Sequence, residues 1–330
     1  MHSIGYWTGM TEDPKRSNWQ NTGPRPIAWS AWYPATGEAT QALPPDPYFD
    51  PGGIRPGAAL ADGGPYPVVL LSHGTGGTAE SLGWLARALA AQGYAVIGAN
   101  HHGNTGIEPY RPEGFLCWWE RAADLSVLPT EMERDSFLTG HLDMSRVSAL
   151  GFSLGAYAVL ALAGAITSHK QFQHWMMENR ITAEGPREFP DAARHIPDLM
   201  RSSFAFRRSW TSEGRTLTDH RIRSVAAIAP PPPVRAFTQR SLAGISLPVT
   251  LITSGGDAEA PAEICAGWLA QHNPCFHRCS LGEKVGHYTF LDYPADKSQV
   301  RSNPVFLDDP SVSRTAVHKA AIEAVLDTLA

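Results

Sequence analysis

Arg146-Val147-Ser148-Ala149-Leu150-Gly151-Phe152-Ser153-Leu154-Gly155-Ala156-Tyr157 is the stretch on which the reading of this chain turns. An apolar run from Arg146 to Leu150 enters Gly151-Phe152-Ser153-Leu154-Gly155, and a helix-like stretch from Ala156 to Ala165 leaves it. That order predicts a strand, a tight turn carrying Ser153, and a helix. A serine on such a turn has its hydroxyl pushed into the open. The helix start behind it offers unpaired backbone N–H groups to a developing negative charge. The two glycines have a mechanical reason to be there: strand and helix pass so close that a side chain at either position would clash.

Working outward, Val68–Ser72, Tyr94–Ala99, Val147–Phe152, Val225–Ile228 and Val249–Ile252 read as short, continuously apolar strands. Helical patterns lie between or after them, at Thr78–Gln92, within Gly114–Thr130, and at Leu154–Ala165, Pro261–His272 and Ser311–Leu329. Two further strands are expected near Ile4–Thr8 and Ile27–Tyr33, and loops through the Pro-, Gly- and Ala-rich Pro34–Pro67. Buried strands alternating with amphipathic helices predict an α/β fold with a mostly parallel central sheet flanked by helices. A polar stretch rich in Arg, His and aromatic residues interrupts the alternation at 168–223, too long for a bare loop. It is expected to form a helical cap or lid on a core made of residues 1–167 and 224–330.

The 330 residues are 43% hydrophobic and 18% charged, enough to build a substantial core. A formal net charge of −5 gives no electrostatic case for nucleic acid or an anionic membrane. No apolar run approaches the roughly 20 residues that span a bilayer. The first residues lack a basic start followed by an apolar stretch, so the expected location is cytoplasmic. Four cysteines are too few for a disulfide scaffold. Cys275, His277 and Cys279 would share one face of a strand, but no second ligand pair lies at zinc-site spacing, so the cysteines read as buried or partly buried thiols and no metal is expected.

A serine hydroxyl needs a base, and the base needs an orienting acid. In a strand–turn–helix architecture these follow the serine in the order acid, then histidine. Asp257, just past the strand ending at Ser254, is the acid candidate; Glu259 competes with it. No Asp or Glu occurs between Asp219 and Asp257, so the preceding strand has none to offer. His287, in Val285-Gly286-His287-Tyr288, follows the last expected strand and is the base candidate; His272, His277 and His318 lie on expected helix or strand. For an oxyanion, the Leu154 N–H directly follows the serine, and the Thr75 N–H lies in His73-Gly74-Thr75-Gly76-Gly77 after an early strand. The alternative for that loop, a phosphate cradle, lacks both the G-x-G-x-x-G spacing and the P-loop lysine.

Taken together, His73-Gly74-Thr75-Gly76, Gly151-Phe152-Ser153-Leu154-Gly155, Asp257 four residues before Pro261, and Gly286-His287-Tyr288-Thr289-Phe290-Leu291 resemble the α/β-hydrolase superfamily. Within it the chain resembles the dienelactone-hydrolase-like group related to platelet-activating-factor acetylhydrolases. Asn100-His101-His102-Gly103-Asn104 is similar to a His-Pro-Gly element of that group, with His102 in the proline's place. The resemblance spans roughly Pro67 to Leu291 without the insertion. It implies Ser153 as nucleophile, His287 as base, Asp257 as acid and the Thr75 and Leu154 amides as oxyanion hole. The implied activity is hydrolysis of a small-molecule carboxylic ester through an acyl-enzyme, with no cofactor. Two departures matter. Some acetylhydrolases take the acid from one strand earlier, and dienelactone hydrolases proper use a cysteine where this chain has Ser153.

The same three residues would serve a lactonase, thioesterase or amidase. A non-catalytic binding module on the same fold usually lacks one of the three, and here all three positions are filled. Trp118 or Trp119 could wall an acyl pocket. His101 and His102 read as structural histidines at a strand end, with His102 also a candidate substrate contact. Among Arg201, Arg207, Arg208, Arg215, Arg221 and Arg223 of the insertion, one or two could meet a substrate carboxylate.

Overall fold

The computed structural model describes residues 2–43, 47–182 and 184–330. Among them nine strands form one sheet: β1 (Ser3–Ser17), β2 (Pro24–Ala35), β3 (Ile54–Pro56), β4 (Tyr66–Ser72), β5 (Ala95–Asn100), β6 (Leu142–Phe152), β7 (Ile222–Ile228), β8 (Val249–Thr253) and β9 (His277–Ser280). Their order across the sheet is β3-β1-β2-β5-β4-β6-β7-β8-β9. From β5 to β9 every neighbouring pair is parallel, while β2 runs antiparallel to both β1 and β5.

Successive residues of a strand point to opposite faces, and the continuous apolar runs therefore feed two cores at once. Val68 and Leu70 of β4 enter one core with Val147 and Ala149 of β6. Val69 and Leu71 enter the other with Leu150 and Phe152. The helices Glu120–Met132 and Leu154–Ala163 cover the first face through Leu125, Leu128, Tyr157 and Leu160. Gly83–Ala91 and Arg314–Leu329 cover the second through Leu85, Leu89, Val317 and Val325. Every residue of Leu154–Ala163 is buried, which its nearly all-apolar sequence tolerates.

Several expectations shift in detail. The first strand reaches Ser17 because it pairs as a long antiparallel hairpin with β2; such a hairpin needs apolar residues on one face only, and its polar half escaped the apolar-run reading. The helix expected within Gly114–Thr130 is two, Pro112–Leu116 and Glu120–Met132, broken at Cys117-Trp118-Trp119. The proline-rich stretch contributes β3, which pairs parallel with β1, while residues 44–46 lie outside the described residues. Cys275 is not on a strand face with His277 and Cys279: Asn273 Oδ1 accepts its N–H at 3.1 Å and holds it in an exposed turn before β9.

The interruption carries the helices His169–Glu178, Ile196–Ser202 and Phe204–Trp210, and β7 begins at its last residues. Ser168 and Ser203 cap two of these helices through their hydroxyls. Ala192, Ala205 and Phe206 pack on Trp19, Phe115, Leu116 and Trp119 in a third, smaller core. A polar tie reinforces that seam: Ser209 Oγ donates to Glu120 Oε1 at 2.6 Å and Arg215 Nη2 to Glu120 Oε2 at 2.8 Å. Among the described residues no helix is long and apolar enough to cross a membrane.

Candidate active site

Ser153 sits where β6 turns into the helix Leu154–Ala163, with φ 53° and ψ −122°. This backbone is strained for a residue with a side chain and persists only where its surroundings enforce it. The enforcement is visible. Ser153 N–H donates to Ile228 O at 2.9 Å, tying the turn to the end of β7. A Cβ on Gly151 would overlap the Gly155 carbonyl and lie 2.7 Å from Ala156 N. A Cβ on Gly155 would overlap Ser72 O and lie 2.6 Å from Ser72 C. Both glycines are therefore demanded by close backbone approach, the second between the serine's helix and the end of β4.

Asp257 follows β8, and His287 opens a short helical turn, His287–Phe290, after β9. The turn is held from behind. Trp84 Nε1–H donates to Phe290 O at 2.9 Å and His318 Nε2–H to Thr289 O at 2.8 Å, with the two rings stacked 3.8 Å apart. Burial pulls the His318 pKa down to about 4, so the ring is neutral near pH 7. His287 Nδ1 lies 2.7 Å from Asp257 Oδ2, while Asp257 Oδ1 accepts Ala260 N–H at 2.7 Å. With the carboxylate as acceptor, the ring proton is on Nδ1, and the Nε2 lone pair faces Ser153 Oγ at 3.0 Å. Glu259, the competing acid, is exposed and makes no hydrogen bond to His287.

A second Ser–His–Asp row lies behind the first. Ser72 Oγ is 2.8 Å from His101 Nε2, and His101 Nδ1 is 3.1 Å from Asp124 Oδ2. Burial would raise the Asp124 pKa, but Arg25 and Arg16 outweigh it and hold the carboxylate ionised. Burial and the Arg121 charge push His101 down to about 3. Ser72, His101 and Asp124 are each 0% exposed, whereas Ser153 and His287 each keep 7%, so only the latter pair opens to a reactant. The buried row braces the ends of β4 and β5.

The loop His73–Gly77 follows β4 beside the serine: a Cβ on Gly74 would lie 3.4 Å from Ser153 Cβ. Among the described residues neither the Thr75 nor the Leu154 amide donates to a protein acceptor, while the neighbouring Gly76 N–H is taken by Asn104 Oδ1 at 2.6 Å. Tyr110, from the core, donates its O–H to Gly76 O at 2.7 Å. The interruption reaches this loop through Glu188, whose Cγ would lie 3.2 Å from a Cβ on Gly76. The Arg187 guanidinium stands 5.2 Å over the Tyr288 ring, next to His287. Burial and then Glu259 push the Glu188 carboxyl up.

The other expected residues make contacts within the protein. His102 Nδ1–H donates to Glu108 Oε1 at 2.8 Å, and Nε2 accepts Trp19 N–H at 3.4 Å. Trp119 is fully buried, its Nε1–H donating to Ser209 Oγ at 3.0 Å. Trp118 packs edge-on against Tyr157 and Phe172 in the same seam. Of the six arginines, Arg201 pairs with Asp198, Arg215 with Glu120 and Arg221 with Asp219. Arg207 and Arg223 donate to backbone carbonyls, and Arg208 is exposed. Arg187 and Glu188, which do reach the rim, stand in a stretch with no periodicity to single them out. Among the described residues no group of three His, Cys, Asp or Glu side chains is arranged to hold a metal ion.

No family model matches the sequence, and no curated protein does. Among solved structures, a ferulic acid esterase from Streptomyces cinnamoneus superposes with a TM-score of 0.59 at 18% identity, over 99% of this chain and 89% of that one. The fold is the α/β-hydrolase fold. A protein assigned as a dienelactone hydrolase from Klebsiella pneumoniae matches at a TM-score of 0.48 and 12% identity, over 98% of both chains. In this α/β-hydrolase fold the serine, aspartate and histidine stand past the C-terminal ends of β6 and β8 and after β9, at the edge where open α/β sheets gather their ligand sites.

Proposed function

We propose that this chain is a serine hydrolase that cleaves small-molecule carboxylic esters through an acyl-enzyme. The observation that carries the reading is the row Ser153 Oγ–His287 Nε2 at 3.0 Å and His287 Nδ1–Asp257 Oδ2 at 2.7 Å, set on a strained turn. His287 takes the Ser153 proton as Oγ attacks the ester carbonyl. Asp257 holds the imidazole by its Nδ1–H and stabilises the imidazolium that forms. The Thr75 and Leu154 amides, which donate to no acceptor among the described residues, receive the oxyanion, each contributing about 3 kcal/mol in the transition state. His287 then returns its proton to the leaving alcohol. A water activated by the same ring releases the acid and regenerates Ser153.

Residues 168–223 serve as the lid of this site. The support is that Glu188 stands over Gly76 in the proposed oxyanion loop and Arg187 over Tyr288. The esterase named above supports an ester as the substrate type. The experiment is turnover of p-nitrophenyl acetate by the parent and Ser153→Ala. Loss of at least about a thousandfold in kcat is expected. Activity that survives the change refutes the assignment of the nucleophile.

A further inference from the structure

Arg121, the second residue of the helix Glu120–Met132, is 1% exposed and lies directly behind the loop that carries Thr75. Its Nη2 lies 3.1 Å from Gly74 O and 2.9 Å from His73 Nδ1. His73 Nε2 accepts the His101 N–H at 3.3 Å, and His73 is kept neutral by burial and by the Arg121 charge. The single ring proton of His73 is therefore on Nδ1, donating to Gly74 O at 2.6 Å. Nδ1 cannot then accept from Arg121, so Gly74 O is the acceptor that Nη2 has. Among the described residues Nε and Nη1 meet no protein acceptor, and no carboxylate lies within ion-pair reach of Arg121. Asp124, the acid whose charge favours it, is already bound by Arg25, Arg16 and His101.

A buried guanidinium without its own carboxylate is costly. Here the charge is aimed at one carbonyl. Gly74 O also receives Gly77 N–H at 3.3 Å, so three donors hold it from the protein side. In a trans peptide the C=O and N–H of one unit point opposite ways. Anchoring Gly74 O from behind turns the Thr75 N–H away from Arg121, and a cation on the oxygen makes the N–H at the other end of that unit a stronger donor.

We propose that Arg121 is a positioning residue of the oxyanion hole, fixing the Gly74–Thr75 peptide and polarising the Thr75 N–H toward the oxyanion. The inference rests on the esterase reading above and deepens it. Its effect belongs to the transition state, where the oxyanion exists, and not to ground-state binding.

The test compares the full chain with Arg121→Met, Arg121→Lys and Ser153→Ala, using p-nitrophenyl acetate as substrate and phenylboronic acid as a ligand that forms a tetrahedral adduct. Arg121→Met lowers kcat by about tenfold to a hundredfold, less than loss of a direct oxyanion donor, with KM within about threefold. The phenylboronic acid Ki rises by a similar factor. Its Tm stays level or rises, because an apolar chain replaces an unpaired buried cation. Arg121→Lys, which keeps a charge, retains kcat well above the Met variant. If the Met variant does not fold, Arg121→Gln, neutral but able to donate to Gly74 O, takes its place in the same comparisons. The proposal is overturned if the neutral variant keeps kcat within about threefold of the parent, or if kcat falls and the Ki does not follow. A lowered Tm with kcat retained assigns Arg121 a structural role alone and also overturns it. Parent activity abolished by Ser153→Ala but untouched by Arg121→Met sinks this inference only; a parent no faster than Ser153→Ala sinks the esterase reading and this inference with it.

Discussion

Replacing Gly155 by alanine adds one methyl group at the tightest point behind the serine, and the structure says what that costs. The new Cβ would overlap Ser72 O, with Ser72 C at 2.6 Å and His73 O at 2.9 Å. All three are backbone atoms, so no side chain can swing aside. An ordinary contact begins near 3.4 Å, so the helix Leu154–Ala163 and the end of β4 must separate by 3.4 less 2.6, about 0.8 Å or more. Gly155 has an ordinary φ, and the penalty is steric only. Overpacking of this kind costs about 3 kcal/mol at the upper end of its usual range. At roughly 2 °C per kcal/mol for a chain of this size, Tm falls by about 6 °C. The same displacement pulls Ser153 from His287 on one side and the Thr75 loop from both on the other. A misplacement near 1 Å costs about a hundredfold in rate. The assay is thermal unfolding by circular dichroism together with kcat on p-nitrophenyl acetate, with Gly53→Ala as control because a Cβ there meets nothing within 4 Å. If Gly155→Ala matches Gly53→Ala in both Tm and kcat, the close-approach argument for the turn is wrong.

The choice of acid is checked by a pair of variants: Asp257→Asn lowers kcat by about ten-thousandfold while Glu259→Gln leaves it within about twofold, and the reverse pattern moves the acid to residue 259. Acid pH attacks the turn that carries His287. The folded-state pKa of His318 is depressed to about 4, mainly by burial, against 6.5 unfolded, so between those values the unfolded chain binds the extra proton. Stability from this group is complete above pH 6.5 and is lost as pH falls toward 4, by about 3 kcal/mol in all. His318→Gln, which still donates to Thr289 O, flattens part of that slope in urea titrations between pH 4 and 6.5; an unchanged slope removes His318 from the account.

Much of this molecule is legible from residue order. The apolar runs at Val68–Ser72 and Val147–Phe152 appear where strands β4 and β6 stand, because a strand covered on both faces needs apolar residues at every position. Gly151 is written in the sequence because a Cβ there would strike the Gly155–Ala156 backbone, a local matter, whereas Gly155 is required by the end of β4, at Ser72 and His73, which the fold brings against it. Asp257 and His287 could be named as partners for Ser153 because the order of strands in a parallel sheet carries each to the same edge. Other features were not legible. Half-exposed β1 hid its length behind polar residues, and the turn before β9 removed Cys275 from the face that alternation assigned it.

What residue order determined by itself is the fold class and which polar residues follow the ends of its strands, since both depend on local periodicity and close backbone contact. Only the tertiary structure reveals that there are two Ser–His–Asp rows and that one of them is sealed. Ser72, His101 and Asp124 have the right chemistry at 2.8 and 3.1 Å, and nothing in their spacing says that they are sealed while Ser153 and His287 are not. It alone placed Arg121 behind Gly74 and brought Glu188 over Gly76, pairs 47 residues apart or more whose meeting is fixed by how helices pack on the sheet. Accessibility and long-range juxtaposition are properties of packing, and packing is a sum over contacts that no short window of sequence contains.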